Sequence, residues 1–310
     1  MKRIFIDGSV GTTGLRIVER LQSREDITLI TLPEEQRKEA ACRKEALNHC
    51  DLAFLCLPDD AAREAVSMLE NPDTVVLDTS TAHRTAPGWA YGFPELGTDF
   101  AERIRTGKRI AVPGCHASGF IALVYPLLKA GFLSPSALLT CHSLTGYSGG
   151  GKKMIAAYEG ETVPKSYASP RQYGLNENHK HLPEMQAVTG LAAKPIFCPI
   201  VSGYYSGMLV TVPLFAQQIG GHSIEDIRDL YAKTYTGPLV HYVSNLDEEG
   251  FVAGNRLQGL DTMEISVYGN EERILLMAAY DNLGKGASGA AIECMNLVLG
   301  ESLTKGLCLA

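Results

Sequence analysis

Residues 4–21 read IFIDGSVGTTGLRIVERL. Ile4–Ile6 is a short apolar run that closes on Asp7 and Gly8. Glycine then recurs at positions 8, 11 and 14, and Leu15, Val18 and Leu21 follow on one helical face. The pattern is strand, glycine turn, helix. Such a turn lets backbone approach a pyrophosphate, which then rests on the N–H groups that open the helix. A glycine triplet alone is weak evidence. Its weight comes from the readable strand before it and helix after it, although an ordinary βα turn would leave a similar trace.

The same alternation continues outward. Ile27–Leu32 reads as a second strand. Thr31, Leu32 and Pro33 stand where an NAD-type fold places an acid for the ribose hydroxyls. Arg37 and Lys38 follow, and a basic pair there would suit the extra phosphate of NADP. Against this, EEQRKEAACRKEAL reads as an exposed, charged helix face. Leu52–Leu57 is continuously apolar, as expected of a parallel strand covered on both sides. Ala61, Ala65, Met68 and Leu69 suggest a helix, and Thr74–Leu77 another buried strand. Ser80 and Thr81 fall at the ligand edge of the predicted sheet, with His83 and Arg84 in reach of an anion. Strand–helix alternation over the first hundred or so residues predicts a doubly wound α/β domain.

Residues 111–126, AVPGCHASGFIALVYP, carry the first sign of chemistry. Ile110–Val112 ends a strand, Pro113 and Gly114 turn the chain, and Phe120, Leu123, Val124 and Leu127 mark a helix. Cys115 stands at its start, where amide N–H groups and the helix dipole stabilise a thiolate. A merely buried cysteine is the alternative.

Beyond this helix the pattern changes. Ala137–Leu144 is strand-like, and YSGGGKK at 147–153 is a glycine-rich stretch set away from any strand–helix junction. Glu159 to Gly190 is polar and loop-like. Ile196–Val201 and Met208–Pro213 look like a strand pair around SGYYSG. Ser223 with Asp226 forms a capping box. Gly269-Asn270 turns one alternating strand into Ile274–Tyr280, a hairpin. DNLGKGASGAAIECMNLVLG then leads into an apolar helix. The predicted fold class is α/β: a Rossmann-type dinucleotide-binding domain over 1–115 and an α+β domain over 116–283 with a mainly antiparallel sheet.

Composition narrows the function. With 310 residues, 45% hydrophobic and 20% charged, the chain can bury a large core. A formal net charge of −7 gives no support for nucleic acid or an anionic membrane as a partner. The 8 cysteines are scattered without CxxC spacing, which suits free thiols in a reducing compartment. The N-terminus MKRIFIDG enters a strand at once, and no apolar run is long enough to cross a bilayer. The expectation is a soluble cytoplasmic protein.

A thiolate needs a group that moves protons. His179 and His181, in HKHLPE, are the candidates. Zinc is disfavoured because no regular Cys/His spacing accompanies them, so no metal is expected. A nucleotide domain, a nucleophilic cysteine and a histidine together suggest thioester redox chemistry.

GSVGTTG, YGFPEL, VPGCHASG, HKHLPE and DNLGKGASGAA together resemble the N-acetyl-γ-glutamyl-phosphate reductases of arginine biosynthesis, shorter-chain branch, over essentially the whole chain. The resemblance implies NADPH-dependent reduction of the acyl phosphate to the γ-semialdehyde, a small-molecule substrate and a homo-oligomer, dimer or tetramer. It also implies that the C-terminal helix over 284–310 completes the dinucleotide-binding domain and that 116–283 serves catalysis and oligomerisation. It implies Cys115 as acyl-thioester nucleophile and His179 or His181 as acid/base. Gly8, Ser9, Gly11, Thr12, Thr13 and Gly14 resemble the cofactor phosphate loop, and Asn282 a residue that returns to the cofactor. Arg171 is placed for a substrate carboxylate by its charge and its position before His179. His116 and Ser118 stand where longer members carry an aromatic residue and threonine. A sister semialdehyde dehydrogenase acting on aspartyl phosphate or a carrier-linked substrate, and a non-catalytic NADP-binding redox sensor, are the alternatives.

Overall fold

The computed structural model describes residues 1–310. They divide into two compact units, Met1–Gly114 with Ala287–Leu307, and Cys115–Gly286 with Cys308–Ala310.

The first unit holds strands β1 (Lys2–Asp7), β2 (Ile27–Ile30), β3 (Leu52–Leu55), β4 (Val75–Asp78), β5 (Ala90–Tyr91) and β6 (Arg109–Ala111). Helices α1 (Thr12–Leu21), α2 (Ala40–His49), α3 (Asp59–Ser67) and α4 (Thr98–Thr106) lie between them. All strands run parallel in the order β2-β1-β3-β4-β6-β5. The chain leaves β1 toward β2 on one side and meets β3 on the other. Glycine is required at this switch point. Gly8 has φ +86°, and a Cβ there would lie 2.3 Å from the Cys56 carbonyl oxygen.

Alternate residues face opposite ways along each strand, so one sheet builds two apolar layers. Ile4, Ile6, Phe54 and Leu77 pack against Ile17 and Leu21 of α1 and against Ile292 and Met295 of the late helix Gly289–Leu299. Phe5, Ala53, Leu55 and Val76 pack against Leu47 of α2 and Ala62 and Ala65 of α3. Two expectations change here. The inward stripe of α1 runs through Ile17 and Leu21, whereas Leu15 is exposed. The 34–47 segment is not one exposed helix. Helix begins only at Ala40, and Arg43 turns inward to pair with Asp7 and Glu64, each at 3.0 Å.

The second unit begins with α5 (Cys115–Lys129) and continues through β7 (Thr140–Gly146), α6 (Gly151–Glu159), β8 (Arg171–Gln172), α7 (Leu182–Thr189), β9 (Ile196–Ser202) and β10 (Met208–Phe215). It ends with α8 (Ile224–Thr234), β11 (Val240–Tyr242), β12 (Met263–Gly269) and β13 (Arg273–Tyr280). The seven strands form one mixed sheet, β11-β12-β13-β10-β7-β9-β8, in which β11/β12 and β7/β9 are the parallel pairs. The hairpin at Gly269-Asn270 and the Ser223–Asp226 capping box are present.

Three local expectations are corrected. β9 and β10 are not partners, because β7 lies between them, parallel to one and antiparallel to the other. YSGGGKK does sit at a strand–helix junction, joining β7 to α6 through a 3₁₀ turn. The stretch from 159 to 190 contains β8 and α7.

Helix α5 is buried on every side from His116 to Val124, as expected of a helix at the centre of a unit. Pro126 lies inside it and has no N–H for the Ala122 carbonyl. The Tyr235 hydroxyl donates to that carbonyl at 2.7 Å, and the Tyr231 hydroxyl donates to the neighbouring Leu123 carbonyl.

Candidate active site

In the first unit the glycine turn opens a cleft of about 470 Å³, lined by Gly8, Ser9, Val10, Leu32, Arg37 and Lys38 among others. Gly11 caps α1 without a side chain, so no side-chain oxygen competes for the first-turn N–H groups of Thr12, Thr13 and Gly14. Gly8, Ser9, Gly11, Thr12, Thr13 and Gly14 thus form one turn at a helix start. Asp7 and Arg43 are part of the same cleft. Burial raises the Asp7 carboxyl, and Arg43 opposes that rise. With Arg43 paired to two carboxylates, Arg37 and Lys38 are the cations presented at the rim. The cleft therefore suits a dinucleotide, with glycine turn and helix start for the pyrophosphate.

At the end of β4, the Ser80 hydroxyl donates to Asp78 at 2.8 Å and accepts from the Ala82 N–H. His83 Nδ1 lies 2.6 Å from the same Asp78 carboxylate, and its ring stacks on Trp89. Arg84 donates to the carbonyls of Val112 and Thr79. Ser80 and its neighbours thus shape the strand end.

In the second unit, Cys115 is the first residue of the fifteen-residue helix α5 and remains partly accessible. The next side chain, His116, is buried. Its Nδ1 lies 2.7 Å from Ser143 Oγ on β7, and its Nε2 lies 2.7 Å from the Tyr173 hydroxyl. Burial lowers His116 to about 3, with His179 adding to the effect, so its ring is neutral near pH 7. Around it stand His179, His181 and Phe197, with ring centroids 5.6, 5.7 and 5.3 Å away.

His179 accepts the His181 backbone N–H on Nδ1 at 3.2 Å. Burial, helped by Lys180, lowers it to about 4. His181 is buried and immediately precedes α7, with no side-chain capping bond to it. Tyr173 is raised by burial and by the nearby Cys115 sulfur. Helix start, β7, β8–α7 loop and β9 thus gather Cys115, three imidazoles and a phenol.

Arg171 and Asn282 are each held by neighbours within the second unit. The Arg171 guanidinium lies 3.5 Å over the Tyr167 ring and donates to Tyr158 at 2.7 Å. The Asn282 amide is buried, accepting from Gly207 N–H at 2.9 Å and donating to Ser148 Oγ at 3.0 Å, which ties two loops together. Ser143, Tyr173 and Phe197 did not stand out in the sequence. Each is an ordinary strand or loop residue until the sheet brings it to His116. No cluster of His, Cys, Asp and Glu side chains is arranged to hold a metal ion. No helix is long and apolar enough to cross a membrane.

A glycine-turn dinucleotide unit, joined in one chain to a unit with a helix-start cysteine beside histidines, defines a class of cysteine-dependent oxidoreductase. Residues 3–104 match the model for the semialdehyde dehydrogenase NAD binding domain, and residues 115–282 match the semialdehyde dehydrogenase dimerisation domain. The chain belongs to the semialdehyde dehydrogenase family, in the branch of the N-acetyl-γ-glutamyl-phosphate reductases.

Its relatives include N-acetyl-gamma-glutamyl-phosphate reductase 2 of Pseudomonas putida, 45% identical over 303 residues, covering 96% of each chain. The Rhizobium meliloti N-acetyl-gamma-glutamyl-phosphate reductase is 44% identical over 305 residues, 96% of this chain and 98% of the relative. Among solved structures, Vibrio cholerae aspartate semialdehyde dehydrogenase II complexed with ASA superposes with TM-score 0.70 at 16% identity, over 97% of this chain and 98% of that one. The Candida albicans aspartate semialdehyde dehydrogenase with NADP gives 0.68 at 15%, over 97% and 98%. At that identity the likeness is one of fold.

Proposed function

We propose that this protein reduces N-acetyl-L-glutamyl 5-phosphate to N-acetyl-L-glutamate 5-semialdehyde with NADPH, releasing phosphate, as a step of arginine biosynthesis. The observation that carries the reading is the site itself: a partly accessible cysteine at the start of a buried fifteen-residue helix, followed by an imidazole packed within 6 Å of two others. Relatives of this identity and coverage carry the substrate assignment.

The helix start stabilises the Cys115 thiolate, which attacks the acyl carbon. The C–S bond forms, the C–O bond to phosphate breaks, and phosphate leaves with the electron pair. NADPH, when bound, would supply the hydride that takes the thioester to the aldehyde; Cys115 then leaves the carbon as thiolate. Of the two histidines in HKHLPE, we assign the acid/base role to His181. The His179 Nδ1 is occupied by the His181 backbone N–H, and burial lowers that ring to about 4. His116 has both nitrogens bonded and serves as packing and support. The loop Gly8, Ser9, Gly11, Thr12, Thr13 and Gly14 would hold the pyrophosphate, and Arg37 and Lys38 would meet the 2′-phosphate. Ser80 and Asn282 shape the loops around the cofactor, and Arg171 offers the substrate carboxylate a guanidinium already oriented by Tyr158 and Tyr167.

A homo-oligomer and a cytoplasmic location belong to the same reading. One face of the seven-stranded sheet carries His142, Cys198, Thr211 and Met277 in one register row, partly or fully accessible, with Leu275, Phe215 and Ile196 exposed beside it. A second copy covering that face is the expected pairing.

The test is the reverse reaction, phosphate-dependent NADP reduction with N-acetyl-glutamate semialdehyde. Activity with aspartate semialdehyde instead would make this chain a sister enzyme, and activity with neither would make it a sensor.

A further inference from the structure

The first turn of α5 is closed by more than its own backbone. In a regular helix the N–H of residue 119 meets the carbonyl of residue 115. Here a side-chain hydroxyl stands beside that pair. The Gly119 N–H donates to the Tyr280 hydroxyl oxygen at 3.0 Å, and the hydroxyl donates to the Cys115 carbonyl at 2.5 Å. Tyr280 is the last residue of β13, is fully buried, and is flanked in register by Met208 and Met263. Its ring reaches the helix because residue 119 has no side chain. A Cβ there would lie 2.7 Å from the hydroxyl oxygen and 2.6 Å from Val210 Cγ2.

We infer that Tyr280 is a positioning residue for the nucleophile. Its hydroxyl pins the backbone of Cys115 to the sheet, so that the sulfur keeps its direction while the acyl group is attacked and released. This rests on the reading of Cys115 as nucleophile. The hydroxyl fits the role because it uses its donor and its acceptor on the two ends of one helical turn. The Gly119 N–H is buried and the Cys115 carbonyl partly so, and the strand bearing Tyr280 lies inside the sheet, paired on both edges. Tyr231 and Tyr235 make the same kind of hydroxyl-to-carbonyl bond to α5, but at Leu123 and Ala122, two turns from the cysteine. They are built-in controls for a bond that only holds the helix in place.

The experiment compares Tyr280→Phe, Tyr235→Phe and Cys115→Ser in the full chain, by kcat and KM in the reverse assay, by melting temperature, and by iodoacetamide labelling of Cys115 read by peptide mass. Peptide mapping is needed because Cys308 is exposed. Misplacing a reacting atom by a fraction of an ångström costs rate, not binding. Tyr280→Phe is expected to lower kcat about tenfold or more, with KM within about twofold and Cys115 still labelled. Tyr235→Phe is expected to melt lower with kcat unchanged. A Tyr280→Phe enzyme with wild-type kcat overturns the inference. So does a loss of kcat that simply follows melting temperature in both tyrosine variants, or a Tyr280→Phe chain that fails to fold where Tyr235→Phe folds. Cys115→Ser separates the two levels. If it retains turnover, the nucleophile assignment itself fails; if it is inactive while Tyr280→Phe is normal, only the role of Tyr280 falls.

Discussion

Proline at 126 and tyrosine at 235 lie 109 positions apart in sequence, yet the structure makes them one unit. Proline removes the N–H that the Ala122 carbonyl would use, and the Tyr235 hydroxyl, 2.7 Å away and buried, replaces it. Tyr235→Phe therefore leaves a buried carbonyl without its donor, a loss of about 1–3 kcal/mol. Each kcal/mol moves the melting temperature of a domain this size by about 2–4 °C, so the variant should melt about 2–12 °C lower. Pro126→Ala supplies the missing N–H. In that background the same Tyr235→Phe change removes one of two donors instead of the only one, and its cost should fall by about 1–2 kcal/mol. The entropy that proline withholds from the unfolded chain cancels in the double-mutant cycle. The assay is thermal unfolding of wild type, both single variants and the double variant under one buffer and scan rate. Costs that add to within about 0.5 kcal/mol would refute the reasoning, because they would show that the hydroxyl and the missing N–H do not serve the same carbonyl.

His181→Asn should lower kcat by about a hundredfold or more, as loss of a general acid/base does, while His179→Asn should cost far less; equal losses in steady-state assays would reverse the assignment. Replacing Arg37 and Lys38 together with alanine should raise KM for NADPH about tenfold or more and leave KM for NADH within about twofold. An equal effect on both cofactors would show that the pair does not face a 2′-phosphate. His116 carries a stability signature in acid. Its folded pKa, about 3, lies below the unfolded value near 6.5, so the unfolded chain binds the extra proton in between. Its contribution is therefore complete above about pH 6.5 and is lost as pH falls toward 3, at up to about 1.4 kcal/mol per pH unit. Urea unfolding from pH 7 to 4 should show a shallower acid loss in His116→Gln than in wild type, and an unchanged slope would exclude His116 as its source.

What the sequence could disclose was whatever local chemistry determines. The turn after β1 needs glycine because the backbone passes the carbonyl of Cys56, just beyond β3. The α8 cap needs Ser223 and Asp226 within one turn, and the β12–β13 hairpin needs Gly269. These demands act over a few residues, so they leave a readable trace. The cysteine was legible for the same reason, since a turn and an apolar helix adjoin it directly.

Tertiary structure decided the matters of partnership. Alternation along β9 and β10 marks both as strands but cannot say that β7 comes between them, because side-chain period is the same for every neighbour. The charges of residues 34–45 look uniformly solvent-bound until Asp7, 36 positions before Arg43, supplies a buried counter-charge. His116, Tyr173 and His179 become a cluster only when a helix start, a loop and two strands converge. A hydroxyl that serves a carbonyl more than a hundred residues away has no local signature, because hydrogen bonding depends on distance in space and not on separation along the chain.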